Sequence, residues 1–149
     1  MSRPRYVIPT APIPSVLIDT GAFYAMADSK EPNHMIATRT FEHITSTGAR
    51  LFTTDFIMAE SHALILTRLR RVDKGLTFLN DIFTSRYTTI VRVTSADQTR
   101  ALSLVNRYTD KLFSFTDATS FIIMERMNIT HGFTFDSNFR QYGLTMIPL

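Results

Sequence analysis

Four carboxylates, Asp19, Glu60, Asp117 and Asp136, each stand where an apolar run meets a turn or helix. Two unit charges about 4 Å apart repel by roughly 4 kcal/mol at an effective dielectric of about 20, so gathered carboxylates do not stay ionised and bare. A hard, oxygen-seeking cation such as Mg²⁺ or Mn²⁺ relieves that repulsion, whereas zinc ordinarily recruits His or Cys. The chain has no cysteine, and its four histidines form no such set. The HExxH pattern is absent, and His62 lies only two residues after Glu60, on a different part of the helix.

Taken singly, each acid has a plainer reading. Asp19, before Thr20-Gly21, can be a turn or cap aspartate. Glu60 can be an exposed helix acid, Asp117 a first-turn helix acid and Asp136 a strand-end turn residue. Their joint placement is what favours a site. Asp28, Glu31, Asp55, Asp73, Asp81, Asp97 and Asp110 are assigned to solvent, turns and caps, Asp110 being the one that lies close before the Asp117 segment.

The elements that would position these acids follow from hydrophobic period and punctuation. Ser15-Val16-Leu17-Ile18 reads as a buried strand running into Asp19-Thr20-Gly21, with a helix after it. Asn33 can cap a helix ending near Gly48, residues 51–54 form a second strand, and Asp55 can cap the helix that carries Glu60. Leu76, Leu79, Ile82 and Phe83 mark the next helix, and the β-branched stretch 87–93 a strand. Ser95 opens another helix, and Ser114 or Thr116 opens the one carrying Asp117. Phe133-Thr134-Phe135 is a strand ending at Asp136, and Met146-Ile147 a last edge strand.

Strands separated by helices imply right-handed crossovers and an α/β fold, a three-layer α/β/α sandwich with a mostly parallel central sheet. Sites in such sheets form beyond the carboxyl ends of the strands, which is where Asp19 and Asp136 project and where the helices of Glu60 and Asp117 begin.

A chain of 149 residues with 44% hydrophobic content is one compact domain, read as residues 15–149 after an extended arm over 1–14. Pro4, Pro9, Pro12 and Pro14 interrupt any signal-like helix in that arm. No apolar run approaches the roughly 20 residues of a membrane span, and the lack of cysteine fits a reducing compartment, so a cytoplasmic location without membrane partners is expected. The net charge of +3 is compatible with a polyanionic partner. Arg68, Arg70, Arg71 and Lys74 crowd the end of the Glu60 helix, either as a solvated helix terminus or as part of a groove for a polyanionic backbone.

The chain resembles the PIN-domain nucleases, and within them the VapC-like ribonuclease toxins of toxin-antitoxin pairs. The resemblance rests on Val16-Leu17-Ile18-Asp19-Thr20, Ala59-Glu60-Ser61, Ser114-Phe115-Thr116-Asp117-Ala118 and Phe133-Thr134-Phe135-Asp136-Ser137-Asn138-Phe139, and it runs from Val16 onward. It implies that Asp19, Glu60, Asp117 and Asp136 are catalytic, metal-binding residues for Mg²⁺ or Mn²⁺, with Thr116 a supporting hydroxyl. It also implies RNA hydrolysis and a cognate antitoxin as partner. Asn138 departs from the family, since many relatives carry His in that segment. The supply of apolar helix residues is compatible with a homodimer.

The same fold also allows a housekeeping RNA-processing nuclease or a catalytically silent binding module. Asp19-Thr20-Gly21-Ala22 matches the tetrapeptide of retroviral-type aspartic proteases, but none of the five glycines follows two apolar residues as those folds need. A haloacid-dehalogenase-like phosphatase would want a second Asp where Gly21 stands, and a receiver domain a late lysine, yet none follows Lys111.

Overall fold

The computed structural model describes residues 5–149. The chain runs β1 (Ser15–Ile18), α1 (Thr20–Ala27), α2 (His34–Ser46), β2 (Arg50–Thr54), α3 (Asp55–Leu69), α4 (Val72–Thr84), β3 (Thr88–Val91), α5 (Ser95–Arg107), α6 (Phe115–Met127), β4 (His131–Phe133), α7 (Asn138–Tyr142) and β5 (Thr145–Ile147). Of the arm expected over 1–14, residues 1–4, including Arg3 and Pro4, lie outside the described residues. Residues 5–14 carry no helix or strand, and Val7 exchanges two backbone hydrogen bonds of 2.7 Å with Leu149.

All five strands are parallel, in the order β3-β2-β1-β4-β5. The chain builds outward one way through β1, β2 and β3, then returns to the other side of β1 for β4 and β5. Right-handed crossovers in opposite directions put α1 to α4 on one face and α5 to α7 on the other. The helix contacts agree, since α1 packs on α2 and α3, α3 on α4, α5 on α6, and α6 on α7. The point of reversal lies between β1 and β4, whose ends Ile18 and Phe133 are register partners. Loops diverge there and leave a crevice, which makes it the place for a site.

Central β1 is buried at every position, as a strand covered on both faces must be, and its Val16, Leu17 and Ile18 are wholly inaccessible. Helix α6 is buried continuously from Ala118 to Met124. Its Phe121 stacks on Tyr142 at 4.6 Å and meets Phe139 edge-on at 5.0 Å. Arg126 grips buried Asp97 with two bonds of 2.9 Å, fastening α6 to the first turn of α5.

The cap of α3 and the bounds of β4 differ from expectation for local reasons. The cap of α3 is Thr54, whose hydroxyl accepts the Ile57 N–H, so Asp55 is free to accept the Val93 N–H at 2.9 Å and tie α3 to the end of β3. The helix expected from Ser95 does begin there, capped by Thr94 with Asp97 reciprocating. The strand expected at 133–135 is His131–Phe133, because the Thr134 hydroxyl accepts the Asp136 N–H and turns the chain out of the sheet.

Candidate active site

Asp19 is the first residue beyond β1 and precedes α1. It is buried at 7% exposure, and its Oδ2 accepts the Thr134 hydroxyl at 2.8 Å. Burial pushes its carboxyl up to about 7 despite the Thr134 bond and the Thr20 backbone, and the charges of Asp117 and Asp136 push the same way. An acid held out of water beside two others is in the condition that a cation would relieve.

Asp117 is placed by the start of α6. Ser114 caps that helix, its hydroxyl accepting the Asp117 N–H while Asp117 Oδ2 accepts the Ser114 N–H, a reciprocal box that fixes the carboxylate over the helix N-terminus. The same Oδ2 accepts Nδ2 of Asn138 at 3.1 Å. Burial raises the Asp117 carboxyl, the Ser114 and Asn138 bonds oppose that, and Asp136 adds to the rise.

Asp136 stands exposed three residues past β4. Its N–H donates to the Thr134 hydroxyl, and its Oδ1 accepts the Asn138 N–H at 2.9 Å. Thr134 therefore binds Asp19 and Asp136, and Asn138 binds Asp136 and Asp117. Asp19, Asp117 and Asp136 thus form one hydrogen-bonded frame across β1, β4, α6 and α7.

Glu60 lies in the second turn of α3, exposed, next to buried Ser61. It is not among the leading charges that shift Asp19 or Asp117. The frame thus joins three of the four expected acids, and Glu60 stands outside it, exposed on α3. Thr116 contributes its carbonyl, which accepts the Thr119 and Ser120 hydroxyls, while the hydroxyls that hold the acids are those of Thr134 and Ser114.

The basic run is divided by the joint between α3 and α4. Arg68 lies 5.0 Å over the Tyr24 ring, Arg70 is the left-handed cap of α3 at φ 52, Arg71 pairs with Asp73 at 2.6 Å, and Lys74 lines a cavity of about 430 Å³ bordered by α1, α2 and α4. Arg68 is eight residues beyond Glu60, roughly 12 Å along the helix axis. The run is therefore set back from the acids.

Thr134 and Asn138, which tie the acids together, carry little signal in the sequence. Thr134, fully buried, looks in sequence like an ordinary position between two phenylalanines, although a hydroxyl two residues before an acid is a turn signal.

The donor set suits a hard divalent cation, being all carboxylate oxygen, with one member buried and carrying a raised pKa. Two buried hydroxyls adjoin it in sequence without a hydrogen-bond partner among the described residues, Thr20 Oγ1 and Ser61 Oγ. As the side chains stand, no three His, Cys, Asp or Glu among the described residues are close enough to enclose an ion. The chemistry of the donors fits a metal, and an ion would have to draw the carboxylates together.

Comparison with known proteins gives a consistent family. The PIN domain profile matches residues 16–144. A protein of Archaeoglobus fulgidus named VapC ribonuclease is 29% identical over 127 residues, covering 84% of this chain and 79% of that protein. Ribonuclease VapC26 of Mycobacterium tuberculosis is 26% identical over 121 residues, covering 81% and 86%. The crystal structure of Mycobacterium tuberculosis VapC20, described as a sarcin-ricin loop cleaving toxin, superposes with a TM-score of 0.79 at 22% identity, covering 88% of this chain and 97% of that one.

Proposed function

We propose, from the premise that this chain belongs to the PIN domain family, that it is a metal-dependent ribonuclease hydrolysing RNA phosphodiester bonds. The observation that carries the reading is the hydrogen-bonded frame of Asp19, Asp117 and Asp136 at the point where the sheet reverses direction. Relatives named as ribonucleases, matched over most of their length, supply the substrate class.

In this reading Asp19, Asp117, Asp136 and Glu60 hold Mg²⁺ or Mn²⁺. A bound cation of this kind lowers the pKa of a coordinated water and stabilises charge building on the phosphate. Thr134 aims the Asp19 carboxylate, and the Ser114 box and Asn138 aim that of Asp117. Asp136 contributes charge from the exposed side, Glu60 completes the donors from α3, and Thr116 offers a hydroxyl beside Asp117. Arg68, Arg70, Arg71 and Lys74 would meet RNA phosphates remote from the cut.

The biological role that fits is the toxin of a toxin-antitoxin pair acting in the cytoplasm. A cognate antitoxin would cover the acidic edge, with a basic side chain among the carboxylates. Among the described residues no helix is long and apolar enough to cross a membrane. A housekeeping nuclease of the same fold would keep the chemistry without the partner. RNA incubated with the purified chain should be cut with Mg²⁺ or Mn²⁺, spared with chelator, and cut again on metal re-addition. Metal-independent cleavage, or none under any condition, would remove the reading. Expression that arrests growth, relieved by a neighbouring small protein, separates toxin from housekeeping enzyme.

A further inference from the structure

Three phenylalanines flank or follow Asp117, and the fold uses them differently. Phe113 and Phe121 are committed to an aromatic cluster with Tyr108 and Tyr142. Phe115, the first residue of α6, is instead 42% exposed and, among the described residues, its one aromatic partner is Phe56 in the first turn of α3, centroids 6.2 Å apart. Phe115 lies two residues before Asp117, and Phe56 lies four before Glu60, one helical turn away on the same side. The ring pair thus bridges the N-termini of the two helices that carry those acids. Leu112, at 93% exposure, lies three residues before Phe115, and its carbonyl is tied through Asn138 Nδ2 to the Asp117 carboxylate.

We propose that Phe115, backed by Phe56, is a platform on which an unpaired RNA base stacks beside the phosphodiester to be cut. The inference rests on the ribonuclease reading and names how that site engages its substrate. A nucleotide whose phosphate reaches Asp117 brings its base within range of Phe115, two residues away. A phenylalanine ring has no hydrogen-bond donor or acceptor, so Phe115 binds a base by stacking rather than by reading its edges. A base within a duplex has both faces covered, and the platform therefore selects single-stranded or looped RNA.

The test uses an RNA oligonucleotide that the wild-type chain cuts, together with versions made abasic in turn at each nucleotide flanking the cut. Phe115→Ala should lower kcat/KM on the intact oligonucleotide by about 5- to 150-fold, the range of one lost base-aromatic stack. At one abasic position the same variant should differ little from wild type, because the base that would stack is already missing. Phe115→Trp should restore cleavage of the intact RNA, which a merely structural role for the side chain would not predict. Equal losses on intact and abasic RNA, or no loss at all, would overturn the platform while leaving the ribonuclease standing. A wild-type chain that cuts no RNA would overturn both.

Discussion

Asp19 and Glu60 follow strands that lie side by side, β1 and β2, yet the two acids are held in opposite ways. Asp19 is buried, receives the Thr134 hydroxyl and shares its frame with two further carboxylates. Glu60 rides an exposed face of α3, whose inward side is spent on Ile57, Ser61 and Ile65. The difference follows from topology. Between β1 and β4 the chain reverses direction and leaves a crevice, where the polar groups of Asp19, Thr134, Asp136, Asn138 and Asp117 satisfy one another. On the α3 side a continuous helix satisfies its own backbone and leaves its acid in water. In the site we propose, one half is thus built by the fold itself and the other, Glu60, is left to close on a bound metal.

The sharpest way to break this contrast is to neutralise one acid from each half. Asp117→Asn should lower kcat on RNA by about 10²- to 10³-fold, the scale of losing one preorganised electrostatic contact. Added metal should not restore it. Glu60→Gln should raise the Mg²⁺ concentration needed for half-maximal cleavage by about 10- to 100-fold and recover much of its rate at high metal. Metal titrations of both variants decide the matter, and parallel curves would erase the distinction between a built half and a closing half.

A smaller effect concerns the buried half alone, in the absence of metal. Asp19 ionises near 3.8 when unfolded and near 7 when folded, so between those values the folded chain binds more protons. Stability therefore falls as pH rises through that window and stays lowered above it, by an amount on the order of a few kcal/mol. Thermal unfolding in chelator from pH 4 to pH 8 should show this decline, and Asp19→Asn should flatten it. An unchanged slope in the variant would mean that the Asp19 carboxyl is not desolvated as placed.

The smallest effect belongs to the basic run at the far end of α3. Removing two charges with Arg70→Ala and Lys74→Ala should reduce the slope of log binding against log salt by about 1.4 for single-stranded RNA, with kcat unchanged. Binding that does not respond at any salt concentration would exclude this surface from the RNA track.

Much of this arrangement is legible in the residues. Buried β1 carries the three-residue apolar run Val16-Leu17-Ile18 ending at an acid, and the Ser114 to Asp117 spacing is a capping box that fixes where α6 begins. What the sequence hides is whatever depends on distant partners. Thr134 reaches Asp19 across 115 positions, and alternation with Phe133 and Phe135 disguises it as strand. Asn138 joins Asp117 across 21 positions, a link no local pattern announces. The Thr54 cap was concealed by Asp55, an equally good capping residue one position later whose carboxylate is used instead for Val93. The order β3-β2-β1-β4-β5, which creates the crevice, comes from long-range pairing rather than from any single segment.

In the proposed function the buried Asp19 carboxylate works with a divalent metal to cut RNA. The most direct measurement is the Mn²⁺-dependent cleavage rate of Asp19→Asn beside wild type, with circular dichroism confirming that both are folded. The variant should be folded and inactive at every metal concentration that drives the wild-type chain. A folded Asp19→Asn chain cutting RNA at the wild-type rate would contradict the account.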